Sequence, residues 1–105
     1  MKKYNYIFTK QKEFFHLGET RNISFRIDKL KKLKKIIKDN ENEILRALKL
    51  DLGKSDFEGY ATEIGIVYDE INLHIKKVRS WCRKEKRKTP IVHFPAKSYI
   101  YKEPY

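Results

Sequence analysis

The sequence predicts a mainly α fold, with about four amphipathic helices followed by an extended tail that carries one β-strand. Three observations predict it. Apolar residues recur three or four positions apart through most of the 105 residues. Glycines and Ser/Asn starts followed three residues later by Glu punctuate that pattern at intervals. After Pro90 the helical spacing gives way to the alternation of "KSYIYKEPY", Lys97 to Tyr105.

The first helix is expected over roughly Tyr4 to Leu17, with Tyr4, Ile7, Phe8, Phe14, Phe15 and Leu17 as its apolar residues and Gly18 as its stop. A second starts near Asn22 or Ile23. It places Ile23, Ile27, Leu30, Leu33 or Lys34, and Ile37 on one face, with Lys31, Lys32, Lys35 and Lys38 on the wet side. A break near Asp39–Asn40 follows, where Asn40 and Glu43 fit a capping-box variant. Ile44, Leu45, Leu48 and Leu52 then form the third stripe, ended by Gly53. Ser55 with Glu58 opens the longest helix, Asp56 to Arg83. Its stripe is Tyr60 or Ala61, Ile64, Tyr68, Ile71, Ile75, Val78 and Cys82, widened by Ile66, Val67 and Leu73. "RKEKRKTP" reads as a charge run, and Pro95 bars a regular ladder in "IVHFPAK". The expected division is therefore a helical segment, 1–89, and an extended tail, 90–105, with a strand at 98–103. That tail is expected to be poorly anchored, with the strand's backbone partners lying outside the chain.

Composition narrows the function classes. The chain is one domain's length and 40% apolar, too apolar for a disordered tail. It has no run of about 18 apolar residues, so no transmembrane segment is expected. "MKKYNYIF" is followed by polar "TKQKE" rather than an apolar core, which argues against a secretory signal. A single cysteine, Cys82, allows no internal disulfide, and the cytoplasm is the expected compartment. The net charge of +11 raises nucleic acid or an anionic membrane as partners. However, 19 of the 25 basic residues are Lys and only six are Arg, the side chain suited to bidentate phosphate contacts. The lysines read first as solvated helix faces, and no nucleic-acid partner is expected.

No catalytic, cofactor-binding or metal site is defensible on residue chemistry alone. "LGKS", Leu52 to Ser55, has the end of a phosphate loop, but Leu48 stands where its first Gly belongs and a helix precedes it. It reads as a helix end. "NIS" at Asn22–Ser24 matches a glycosylation acceptor that has no weight without a secretory signal. His16, His74 and His93 are too scattered for a metal site. Cys82 lies among Arg79, Arg83 and Lys84, but at a helix C-terminus, which opposes a thiolate, and no base is evident beside it. Asp51, Asp56, Glu58, Glu63, Asp69 and Glu70 read as caps and surface ion-pair partners.

The order of segments is more informative than any one of them. "FRIDKLKKL" at Phe25–Leu33, "NENEILRALKLDLGKS" at Asn40–Ser55, "YATEIGIV" at Tyr60–Val67, and "KTP" followed by "PAKSYIYKEPY" resemble the amino-terminal region of class 3-type aldehyde dehydrogenases, the fatty-aldehyde branch. The resemblance runs from about Phe14 to Tyr105. It implies a helical segment that packs on a Rossmann-like cofactor domain, and a strand, Ser98, Tyr99, Ile100, Tyr101 and Lys102, that enters a bridging sheet used in dimer formation. The implied partners are the remainder of the enzyme and a second subunit. Full-length members oxidise aldehydes to carboxylates with NAD or NADP. By the resemblance, their catalytic cysteine, the assisting glutamate and the glycine-bearing cofactor segment all correspond to positions beyond Tyr105. Cys82 does not match the nucleophile and inherits no role. The expectation is an oxidoreductase fragment, truncated before its cofactor-binding and catalytic segments and inactive alone. The alternative is an independent basic helical module that binds nucleic acid or an anionic membrane.

Overall fold

A computed structural model describes residues 2–105. Five helices and two short strands follow in order: α1 (Lys2–His16), α2 (Ile23–Asp39), α3 (Glu41–Leu52), α4 (Asp56–Gly59), α5 (Gly65–Trp81), β1 (Glu85–Arg87) and β2 (Ser98–Ile100). A five-residue π turn, Tyr60–Ile64, joins α4 to α5, so the two continue one another as the expected long helix. The mainly α expectation holds, with four helical runs. Among the described residues there are two strands rather than one.

The ends of the helices follow local chemistry. Gly18 and Gly53 adopt φ of 81° and 67°, the left-handed region where a Cβ is strained, and they stop α1 and α3. The Gly53 N–H reaches back to the Lys49 carbonyl at 3.0 Å. Asn22 caps α2 by accepting from the Phe25 N–H at 3.2 Å, and Ser55 caps α4 by accepting from the Glu58 N–H at 3.2 Å. The capping box expected at Asn40 does not form. Its side-chain amide instead donates backward to the Ile36 carbonyl at 2.8 Å, closing the end of α2 rather than opening α3.

The chain divides into two compact units, residues 27–77 and residues 1–26 with 78–105. In the first of these, the side chains of α3 meet α4 and the π turn. Ile64 and Ile71 are the buried large hydrophobics among the described residues, at 3% and 6% exposure. Gly59 is buried with them, and a Cβ built there would lie 3.1 Å from the Leu45 side chain. The spacing of the covered positions corrects the expected stripe. Tyr60 and Ala61 are exposed, whereas Gly59 and Ile64 are buried, five residues apart. Five is the period of a π turn, and helical spacing resumes after it at Tyr68, Ile71 and Ile75. Gly65 completes this turn. A Cβ there would come 3.0 Å from the Tyr60 backbone carbonyl, which has little room to yield. On α2, Lys34 rather than Leu33 takes the inner position, and Leu33 is 47% exposed. Leu52, Ile66, Val67 and Leu73 are also exposed.

In the other unit, α1 meets a single 3₁₀ turn, Glu19–Arg21, and the Phe14 ring lies 5.5 Å from that of Phe25 on α2. β1 and β2 pair antiparallel, with Glu85 opposite Ile100, Lys86 opposite Tyr99 and Arg87 opposite Ser98. The segment between them contains a 3₁₀ turn at Ile91–His93 and a cis Phe94–Pro95 bond.

Ile64→Ala should lower stability by about 2–5 kcal/mol, because little else is buried to close the cavity. Ile66→Ala, at a position 56% exposed, should cost less than about 1 kcal/mol. Chemical denaturation of the two variants against the parent chain checks both.

Candidate functional site

The candidate assembly strand was expected to span Ser98, Tyr99, Ile100, Tyr101 and Lys102. The strand itself occupies Ser98–Ile100, and Tyr101 and Lys102 lie just past its end. Its backbone partner is internal. The charge run supplies β1, Glu85–Arg87, so the expectation of a poorly anchored tail is corrected. Three side-chain ties add to the ladder. The Thr89 and Ser98 hydroxyls meet at 2.6 Å, Lys84 Nζ sits 4.2 Å from the Tyr99 ring centroid, and Lys102 Nζ lies 3.1 Å from Glu85 Oε1. Beyond the strand, Glu103 approaches Arg21 at 3.5 Å. Lys102, counted in the strand by its sequence alternation, therefore acts on it from outside, through Glu85. The Lys102 ammonium, by hydrogen bond and then by charge, and next the Arg87 guanidinium hold the Glu85 carboxyl below its ordinary range.

A strand of three charged residues is stable here because a two-stranded ribbon has no enclosed face. Each side chain of Glu85, Lys86 and Arg87 keeps contact with water while the backbone pairs. In a two-stranded sheet each strand also keeps one unpaired edge. That of β1 is lined by charge, the usual protection against added strands, whereas that of β2 presents Ser98, Tyr99 and Ile100.

The other residues singled out by sequence have structural positions. Lys54 of "LGKS" donates to Thr62 Oγ1 and Glu63 Oε1, both at 2.9 Å, and so fastens the start of α4 to the π turn. Cys82 Sγ accepts from Arg26 Nη1 at 2.9 Å, and Arg26 Nε donates to the Thr20 carbonyl at 2.6 Å. The thiol thus belongs to a polar clasp between the end of α5 and the start of α2. His74 pairs with Glu70 one turn away at 3.5 Å, and His16 stacks edge-on near Phe15. Among the described residues no three His, Cys, Asp or Glu side chains cluster to hold a metal ion. Nor is any helix there long and apolar enough to cross a membrane.

One polar group was not foreseen. Tyr68 donates to Glu41 Oε2 at 2.7 Å, and Lys34 donates to Asn72 Oδ1 at 2.8 Å, beside an open hollow of about 550 Å³. Burial of the Tyr68 hydroxyl, then its hydrogen bond to the Glu41 carboxylate, pushes its pKa up to about 12. The sequence signal was present in the placement of Tyr68 on the inner stripe, where a hydroxyl needs a partner.

Comparison with known proteins gives these observations a context. No protein-family model matches the chain. It is 49% identical over 98 residues to the 4,4'-diaponeurosporen-aldehyde dehydrogenase of Staphylococcus aureus, covering 93% of this chain and 21% of that protein. It is 40% identical over 93 residues to aldehyde dehydrogenase family 3 comG of Dictyostelium discoideum, covering 89% of this chain and 20% of that protein. Its identity to the dimeric NADP-preferring aldehyde dehydrogenase of Canis lupus familiaris is 34% over 105 residues, 99% of this chain and 23% of that one. The solved structure of Staphylococcus aureus AldH in a substrate-bound state superposes with a TM-score of 0.81 at 48% identity, over 92% of this chain and 21% of that chain. The chain is thus a homologue of aldehyde dehydrogenases, and it spans about a fifth of the length of the relatives it matches. Several of these relatives are aldehyde dehydrogenases of family 3, and the chain corresponds to the amino-terminal region of those proteins. These relationships support the oxidoreductase reading and give none to an independent basic module.

Two outcomes follow from the titrating groups. Tyr68 is held protonated in the fold, so its contribution is complete below its ordinary value of 10.0 and is lost as pH rises towards about 12. Glu41→Gln should lower the Tyr68 titration seen by phenolate absorbance, yet leave it above 10.0, because burial is the larger cause. Glu85 runs the other way, since its pKa is depressed. The support it gives the hairpin is present above its ordinary value of 4.5 and is lost as pH falls through its lower folded value. Nuclear magnetic resonance shifts of Tyr99 and Ile100 should move over that acid range in the parent chain and not in Glu85→Gln.

Proposed function

We propose that this chain is the amino-terminal segment of an NAD(P)-dependent, cytoplasmic aldehyde dehydrogenase, and that it supplies packing and assembly surface rather than chemistry. One observation carries the reading. Identity near one half extends along 93% of the chain while covering only 21% of the relative. The complete enzyme would oxidise an aldehyde to a carboxylate, with the nicotinamide cofactor accepting hydride. The groups that bind the cofactor and attack the aldehyde belong to the other four fifths.

The physical state of the surface supports this. Phe57, Ile91, Val92 and Phe94 are each more than four-fifths exposed, and Leu50 is 76% exposed. A chain that leaves such side chains in water has apolar surface to give to something else. β2 supplies the assembly element, since its free edge has the less charged residues and can take a further strand from the remainder or from a second subunit. The canine relative is named as dimeric, which accords with that role.

The purified 105-residue chain, incubated with a long-chain aldehyde and NAD or NADP, should produce no reduced nicotinamide by absorbance. Robust, enzyme-dependent reduction would refute the proposal.

A further inference from the structure

The loop that joins β1 to β2 has an apolar tip on a basic stem. Every residue from Pro90 to Lys97 is exposed. Ile91, Val92 and Phe94 are 90%, 86% and 84% exposed, three large apolar side chains in water within four consecutive residues. The backbone of the tip is largely satisfied without water. Pro90 and Pro95 carry no N–H, and the N–H groups of His93, Phe94 and Ala96 donate to the carbonyls of Pro90, Ile91 and His93 at 2.9, 2.9 and 2.7 Å. The stem has the opposite character. From Arg83 to Lys97 there are six Lys or Arg and one carboxylate, Glu85, which Arg87 and Lys102 already hold. Lys88 and Lys97 follow directly on the Arg87–Ser98 pair, one from each strand, so they stand together at the mouth of the loop. Among the described residues neither has a carboxylate partner.

We propose that this hairpin docks on an anionic lipid surface, with Ile91, Val92 and Phe94 entering the acyl-chain boundary and Lys88 and Lys97 meeting the phosphates. The layering selects the occupant. A bilayer offers hydrocarbon just beneath a plane of negative charge, which is the order in which the tip and its lysine collar would meet it. A protein partner fits less well. Three side chains fall far short of the roughly 800 Å² that each side of a stable protein interface buries. Charged residues are also depleted from the centre of such interfaces, whereas here cations adjoin the apolar tip at both ends. Neither half suffices by itself. A small apolar insertion is weak, and the basic stem adds the second attraction that peripheral anchoring needs. His93 lies within the tip, where an amphipathic ring tolerates the headgroup level. No helix takes part, so the contact calls for no module separate from the oxidoreductase segment. It also stands apart from the packing role proposed above, which its failure would leave in place.

The test is sedimentation of the 105-residue chain with sucrose-loaded vesicles, mixed phosphatidylglycerol and phosphatidylcholine against phosphatidylcholine alone, at about 0.1 M salt. The chain should bind the anionic vesicles at least about tenfold more tightly, and that binding should weaken as salt rises. Ile91→Ser with Phe94→Ser, and separately Lys88→Gln with Lys97→Gln, should each weaken it about fivefold or more. Two controls lie in the other unit. Leu50→Ser removes an exposed apolar side chain, and Lys31→Gln with Lys32→Gln removes the same charge as the collar variant. Each should change binding by less than about twofold. All of these side chains are exposed, so circular dichroism should report an unchanged fold. Phe94→Trp should add fluorescence that brominated acyl chains quench, beyond any quenching of Trp81 in the parent chain. Binding to neither vesicle overturns the proposal. So does binding that survives the tip variant, or Phe94→Trp emission that brominated lipid leaves untouched. An equal loss in the Lys31 and Lys32 control reduces the effect to net charge and overturns it too. Self-association without lipid that the tip variant abolishes makes a second copy the occupant, which is likewise fatal to it.

Discussion

The close approach at Gly59 is the contact on which the unit of residues 27–77 depends. With no Cβ there, Leu45 and Leu48 of α3 can close onto α4, where a methyl group would meet Leu45 at 3.1 Å. The π turn then inserts one extra residue before Ile64, and Gly65 makes that turn possible by leaving space beside the Tyr60 carbonyl. The two glycines bracket the point where the long helix changes phase. Everything buried after it, Ile64 and Ile71 first, is aimed by that change. A regular α-helix from Asp56 onward would turn a different set of side chains inward.

How much of this was legible in the sequence depended on the kind of force involved. Caps and stops are local, and Gly18, Asn22, Gly53 and Ser55 were readable because one residue with its near neighbours decides each. Asn40 shows the limit. Its amide had two backbone carbonyl and N–H choices within reach, and sequence cannot weigh them. The π turn was legible only in hindsight, as a step of five between Gly59 and Ile64 in a stripe otherwise spaced by three or four. It was hidden because a small residue carries no hydrophobic signal.

The strand Glu85–Arg87 was illegible for a different reason. Strand signals in sequence come from a buried face, and a ribbon of two strands has none to bury. What holds β1 is backbone pairing with β2 and the Lys102–Glu85 contact, neither of which leaves a hydrophobic pattern. The terminal alternation was therefore read correctly as a strand, while its partner was placed outside the chain. The family relationship was legible from segment order, which does not require any single motif to be strong.

The division of the chain into units also bears on its synthesis. Residues 27–77 are continuous, so their contacts are complete soon after Lys77 leaves the ribosome. The other unit joins residues 1–26 to 78–105, and its closure waits until residues 78–105 have emerged. During that interval α1 stands alone with aromatic side chains such as Tyr4 and Phe8 in water. In a nascent chain, that helix is the segment that a hydrophobic-binding chaperone would meet first.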